Sequence, residues 1–150
     1  MPRVEFARSL SVSAPAEQVW EAVTDAQRVA GWISLVSDVT EVAHLAHYTA
    51  TLSDRVGPFR LSADLDIAVK DIDPPRTITF SADGEDRQVS SRIRVDASLT
   101  LTPALDGCEI QVAGMYEVTG RVATLGASAI RAKAETVMNE FFQALEKDLG

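Results

Sequence analysis

Few side chains in this sequence could carry chemistry, and their spacing narrows what that chemistry is. His44 and His47 are its two histidines, three apart in AHLAHY. In an extended segment that odd spacing turns the rings to opposite faces, so the pair reads as surface polar residues and not as a metal site. Cys108 is the one cysteine, with no cysteine or histidine beside it; a buried, inert thiol fits better than a nucleophile. Asp64 and Asp66 form a carboxylate pair of the type used in acid–base catalysis. They fall on the polar parity of FRLSADLDIAVK, however, and so face water. Arg92 and Arg94 share the polar parity of SRIRVDASLTLT, where they can pair with such acids across strands. No nucleophile elbow, phosphate loop or zinc-protease helix motif occurs.

Two polar residues stand on apolar parities. Arg8 interrupts the inward face of VEFARSLSV, and a buried guanidinium requires a partner. It is either a polar anchor for a ligand head group or a side chain that snorkels to water near a strand end. Tyr116 has inward parity in CEIQVAGMYEVTG; it is either a core residue satisfied by a carbonyl or the single hydrogen-bonding handle of a pocket.

The elements that must position these residues follow from periodicity. Val4, Phe6, Leu10 and Val12 alternate as a half-buried strand. APAEQVWEAV then offers a proline at the first helical position, Glu17 in the first turn, and Val19, Trp20 and Val23 at helical spacing. Asp25 caps a second short helix with Val29, Trp32 and Ile33 on its apolar side. From about residue 38 the period is two: HYTATLSD, FRLSADLDIAVK, PPRTITFSADG (closed by Gly84), SRIRVDASLTLT and CEIQVAGMYEVTG read as strands, with VGP at 56–58 as a turn. Short connections between them specify an antiparallel meander. Its apolar face needs a cover, and the remaining long element is a helix from about 120 to 148. That helix carries the stripe Ala123, Ala127, Ile130, Ala134, Val137, Met138, Phe141 and Leu145.

The expected fold is therefore α+β: a curved antiparallel sheet wrapped around a long C-terminal helix, with two short helices after the first strand. The stripe is slim at its start, in GRVATLGASAI, and bulky at its end; the facing strands also carry Ala50, Ala63, Ala82, Ala97 and Gly114. Two outcomes satisfy this pattern. Either helix and sheet close together, as in ordinary cores, or a volume stays open between them.

Composition sets the outer limits. The 150 residues fit one domain, residues 1–150, able to bury one substantial core. The 22 acidic and 14 basic residues give a formal charge of −8, a field that repels nucleic acid and anionic lipid surfaces. No stretch has the length and apolarity of a bilayer span or the form of a secretory leader, so a soluble, cytoplasmic protein is expected.

The order of elements, together with VSAPAEQVWEAVTD, resembles the START and polyketide-cyclase (SRPBCC) superfamily. Within it the chain is most similar to the carbon monoxide dehydrogenase CoxG family. The residues that carry the likeness are APAEQVW, VGPFRL at 56–61, DIDPPRTITFSADG at 71–84, and YEVTGRVATLGASAI leading into MNEFF. After the second helix the chain reads GWISLVSD, with Ser34 and Leu35 where members often have Pro and Gly. The resemblance implies a helix-grip fold enclosing an apolar cavity for a small molecule such as a lipid or quinone. It also implies a larger oxidoreductase partner, a molybdenum-containing carbon monoxide dehydrogenase.

The residues together point to a non-enzymatic carrier or accessory module. Its expected walls are Leu52, Leu61, Ala63, Phe80, Ile93, Val95, Ala127, Ile130 and Ala134, with Trp32 and Ile33 at the mouth, Tyr116 as a wall residue and Arg8 as a possible polar anchor. No catalytic residue, metal or cofactor is assigned, and a homodimer through edge strands stays open. The alternative is a cyclase-, dehydratase- or hydrolase-like enzyme on a hydrophobic substrate, which needs Tyr116 or Arg8 inside the cavity.

Overall fold

The computed structural model describes residues 3–150. In chain order the elements are β1 (Arg3–Val12), α1 (Ala16–Val23), α2 (Ala26–Ala30), β2 (Val36–Ala43), β3 (His47–Val56), β4 (Phe59–Asp73), β5 (Thr77–Asp86), β6 (Ser91–Ala104), β7 (Gly107–Gly120), a 3-10 turn (Val122–Leu125) and α3 (Ala127–Leu149). The strands form one antiparallel sheet in the order β1-β7-β6-β5-β4-β3-β2. Only the β1–β7 pairing joins strands distant in sequence. Bulges in β2 and at Val69/Asp71 of β4 add bend to the sheet. The result is the helix-grip arrangement, with α3 laid across the concave face.

Local sequence signals mostly hold. The Asp25 carboxylate accepts from the Gln27 and Arg28 amides at 3.1 and 3.2 Å and starts α2. Pro15 is the residue before α1, with extended backbone, and not its first helical residue; its missing N–H is harmless there too.

Two expectations change. Gly84 does not close β5, which continues to Asp86. A Cβ at Gly84 would sit 2.6 Å from Leu65 Cδ2 and 3.2 Å from Ile93 Cγ2, so the glycine admits flanking side chains in mid-strand. The second change concerns GRVATLGASAI, of which only the last four residues are α-helical. β7 runs on to Gly120, a 3-10 turn follows, and α3 begins only at Ala127. Gly126 has φ 92° and ψ 160°, a region essentially reserved for glycine. The two glycines of this stretch, Gly120 and Gly126, both at positive φ, therefore serve a sharp connection. Its Leu125 side chain reaches the β3–β4 hairpin and lies 3.1 Å from where a Cβ of Gly57 would be.

The core is uneven. At one end α1, β6, β7 and the last turns of α3 pack tightly: Val19, Ile110 and Leu145 have no exposed surface, and Leu101 and Cys108 only 1%. The α3 backbone comes close to β1 and to the 3-10 turn but stands off the central strands.

Candidate functional site

Where α3 stands off, inward-facing apolar residues are only half buried. On the sheet these include Leu52, Leu61, Ile67, Phe80, Ile93 and Val95; on α3 they are Ala134, Val137, Met138 and Phe141. Their parity is that of a core, but no protein atoms fill the space before them. They enclose a cavity of about 480 Å³ with an overwhelmingly apolar lining. Ligand pockets run from about 300 to 1,000 Å³, whereas close-packed cores leave few voids larger than a water.

The structure brings most of the expected residues together. Trp32, Ile33, Leu52, Leu61, Ala63, Phe80, Ile93, Val95, Tyr116, Ile130 and Ala134 all border this cavity. Two do not. Ala127 is exposed at the first turn of α3, because the helix starts later than its composition suggested and Ala127 no longer reaches the sheet side. Arg8 lies in mid-strand on β1, not at a frayed end, and its guanidinium donates to Asn139 Oδ1 of α3. That bond ties the edge strand to the helix and leaves Arg8 outside the cavity.

Several lining residues escaped the sequence pattern. Val137, Met138 and Phe141 were legible as the helix stripe but not as walls. Leu35, Val36, Val39 and Leu45 come from β2 and its flanks, a region with weak alternation. Asp54 and Lys133 also border the cavity. Asp54 shares the inward parity of Tyr48, Ala50 and Leu52, and its carboxylate meets Lys133 Nζ at 2.7 Å. The one hint in sequence was an acid on an apolar parity.

Trp32 is fixed in place. Its indole N–H donates to Asp148 Oδ2 at 3.1 Å, and its ring meets Phe141 edge-on with centroids 5.9 Å apart. Asp148 is in turn held by Arg28 through two bonds of 2.8 and 3.0 Å; these, with the Trp32 donor, hold its carboxyl below the ordinary range. Nearby, the Ser34 amide donates to Glu140 at 2.8 Å, and the Ser34 side chain together with that amide lowers this carboxyl too. Along its length α3 is thus tied to its surroundings by Lys133 to Asp54 of β3, Asn139 to Arg8 of β1, Glu140 to the segment after α2, and Asp148 to Arg28 and Trp32.

Tyr116 differs from every other wall residue. Its side chain is buried, 8% exposed, and its hydroxyl has no hydrogen-bond partner among the described residues. Burial pushes its pKa above the ordinary tyrosine value, so it remains a neutral donor at physiological pH. The remaining candidates are distributed as follows. Cys108 is buried and its thiol pKa is raised, chiefly by burial. His44 pairs with Glu41 and His47 with Asp66, on different neighbours. Asp64 and Asp66 are exposed. Arg92 lies 4.0 Å from Asp83 on the adjacent strand, while Arg94 pairs with Asp96 of its own strand. Among the described residues no group of three acidic, histidine or cysteine side chains could hold a metal ion, and no helix is long and apolar enough to cross a membrane.

A long helix gripped by a curved seven-stranded sheet over an apolar cavity defines a START-like fold. The chain is similar to a START superfamily protein from Mycobacterium smegmatis (16% identity, 97% of this chain and 96% of that one, TM-score 0.74). A conserved protein from Geobacillus kaustophilus superposes with TM-score 0.84 at 23% identity, covering 97% and 94%. The Mll3558 protein from Rhizobium loti gives 0.71 at 19%, covering 98% and 97%. Identities this low carry the fold alone. Residues 9–150 match the CoxG family, which takes its name from a subunit of carbon monoxide dehydrogenase, and the chain belongs to that family. A sequence comparison with curated proteins finds no match.

Proposed function

We propose that this chain, as one START-like domain over residues 1–150, is a non-enzymatic carrier that holds a hydrophobic small molecule, lipid or quinone-like, between α3 and the sheet. The observation that carries this reading is the cavity of about 480 Å³. Half-buried Leu52, Phe80, Ile93, Val95, Val137 and Met138 on inward parities are apolar surface left without a protein partner. A ligand that covers such surface gains roughly 25 cal/mol per Å² of apolar area removed from water. Membership of the CoxG family supports a role as accessory to a molybdenum-containing carbon monoxide dehydrogenase-like oxidoreductase.

The enzyme reading needs Tyr116 or Arg8 inside the cavity, and of the two Tyr116 lines it while Arg8 does not. Arg8 is engaged by Asn139, and the polar residues of the lining besides Tyr116 have partners too: Asp54 has Lys133, Arg92 has Asp83, Ser91 has Val89 and Val122, and Thr24 has Trp20. The carrier reading is therefore the better supported. Native mass spectrometry of the purified chain, followed by organic extraction, tests it: a co-purifying neutral lipid or quinone is expected. A ligand-free chain that also fails to take up hydrophobic dyes or added quinones would overturn it.

A further inference from the structure

A guest must reach a cavity that α3 roofs, and both ends of that roof are plugged by apolar side chains. At one end Phe142, Leu145 and Leu149 pack into the closed core. At the other, Val122 and Ile130 pack with Val4, Tyr116 and Val118. The two flanks of α3 differ. Along β1 the helix backbone comes close to the strand, and Asn139 accepts from Arg8. Along β2 and β3, among the described residues, no backbone hydrogen bond reaches α3, and helix side chains span the gap.

Those side chains complete a frame. Lys133 Nζ meets Asp54 Oδ2 at 2.7 Å, the Ser53 amide donates to the Leu35 carbonyl at 2.8 Å, and the Ser34 amide donates to Glu140 Oε1 at 2.8 Å. Asp54 follows Ser53 and Leu35 follows Ser34, so these bonds close a circuit whose last side is α3 from Lys133 to Glu140, roughly 10 Å of helix. Glu140 is near enough to Lys133 and Asp54 to feel the charge of each, so both ties face one opening. Val137 lies between Lys133 and Glu140 at helical spacing and shares their face; Ile33, Leu35 and Leu52 belong to the facing side. All four of these apolar residues are half buried and line the cavity.

The sides of the frame are unequal. Two of them engage backbone amides, whereas Lys133 and Asp54 meet through side chains alone. The lysine stem is flexible, and the two side chains keep 37% and 21% of their exposure, so water replaces the lost bond at small cost. The Asp54 carboxylate also accepts the Arg55 amide at 2.8 Å and stays in place when the lysine leaves.

Resting on the carrier reading, we infer that the guest enters and leaves through this window between α3 and the β2–β3 edge, with the Lys133–Asp54 pair as its latch. Lys133 swings into water, the frame widens beside β3, and the apolar surface of Val137, Ile33, Leu35 and Leu52 lines the passage. No backbone hydrogen bond has to break.

Stopped-flow exchange of the neutral dye N-phenylnaphthylamine on the purified chain tests this route. Lys133→Ala and, independently, Asp54→Ser should raise the association and dissociation rates together, by about two- to fivefold each. Exchange in the wild type should quicken as sodium chloride screens the pair, and that salt dependence should vanish in both variants. Arg8→Met, which cuts the tie on the opposite flank, and Asp148→Asn, which cuts the tie to α2, should leave both rates near wild type. Unchanged rates in both window variants, or acceleration by Arg8→Met or Asp148→Asn instead, would overturn the route while leaving the carrier reading intact. A rise in dissociation alone, with an equal loss of affinity, would make Lys133 a wall contact and overturn the latch as well. If the dye fails to bind the wild type at all, the carrier reading falls and the route with it.

Discussion

The two halves of α3 do different work with the same pattern. From Phe142 to Leu149 its inward residues are fully buried against α1, β6 and β7, with Leu145 wholly inaccessible. From Ala134 to Phe141 residues of the same helical parity are half exposed over the cavity. One amphipathic stripe thus supplies a core at one end and a wall at the other. An apolar face marks what leaves water; it does not specify whether protein or guest covers it.

The contrast can be broken experimentally. The largest effect is expected at the closed end, where Leu145→Ala should cost about 3 kcal/mol or more, read by urea denaturation. Val137→Ala, one of the cavity walls, should cost less than about 1 kcal/mol, since its side chain keeps part of its exposure after folding. Similar losses at both positions would mean that the two halves are packed alike.

A second comparison adds bulk instead of removing it. Ala22 has no exposed surface and lies in the closed end, so Ala22→Phe should overpack it by about 1–3 kcal/mol. Ala134→Phe extends into the cavity and should leave the melting temperature unchanged or higher, while lowering dye binding about tenfold. A destabilised Ala134→Phe that binds dye normally would show the space beside α3 to be filled by protein.

Asp86, on β5, offers a stability probe outside α3. It is buried, and its carboxylate accepts the Ser62 amide at 2.7 Å, with further bonds from the Gln88 and Val89 amides at 2.9 and 3.2 Å. These donors, Ser62 foremost, hold its pKa below the ordinary carboxylate value. The stabilisation is therefore present above the unfolded value, about 4, and is lost as pH falls through the lower folded one. Asp86→Ala should cost about 2 kcal/mol at neutral pH and flatten the acid limb of a melting-temperature profile below about pH 4. An unaltered acid limb would assign that limb to other carboxylates.

The smallest effect belongs to the rim. Lys133→Met removes the partner of Asp54 across the cavity edge; partial exposure limits the expected cost to about 1 kcal/mol or less. The difference from wild type should shrink in high salt. A salt-independent loss would point to packing by the lysine stem instead.

Much of this architecture was legible beforehand because its causes are local. Period-two alternation placed β3, β4, β6 and β7, and Asp25 announced α2 through its cap. Strand and helix parity placed Leu52, Leu61, Ala63, Phe80, Ile93, Val95, Ile130 and Ala134 on the side that borders the cavity. The failures share a different origin. Ala127 was misplaced because glycine-rich spacing does not distinguish a slim helix from a turn that needs a backbone only glycine adopts. Arg8 was misjudged because its partner, Asn139, lies 131 positions away. The Asp54–Lys133 pair and the Trp32–Asp148 bond also join residues remote in sequence and left only faint local traces.

The chain by itself thus determined which residues face inward, since facing depends on periods of two and of 3.6 that neighbours impose on one another. It also determined the helix-grip plan, because one apolar sheet face and one long apolar stripe have a single way to cover each other. Only the tertiary structure decided how far apart those two surfaces stand. The ties of α3 to the sheet, Asn139 to Arg8 and Lys133 to Asp54, join residues remote in sequence, and the helix starts only where β7 and the turn after it end. On that separation depends the difference between a packed interior and one with room for a guest.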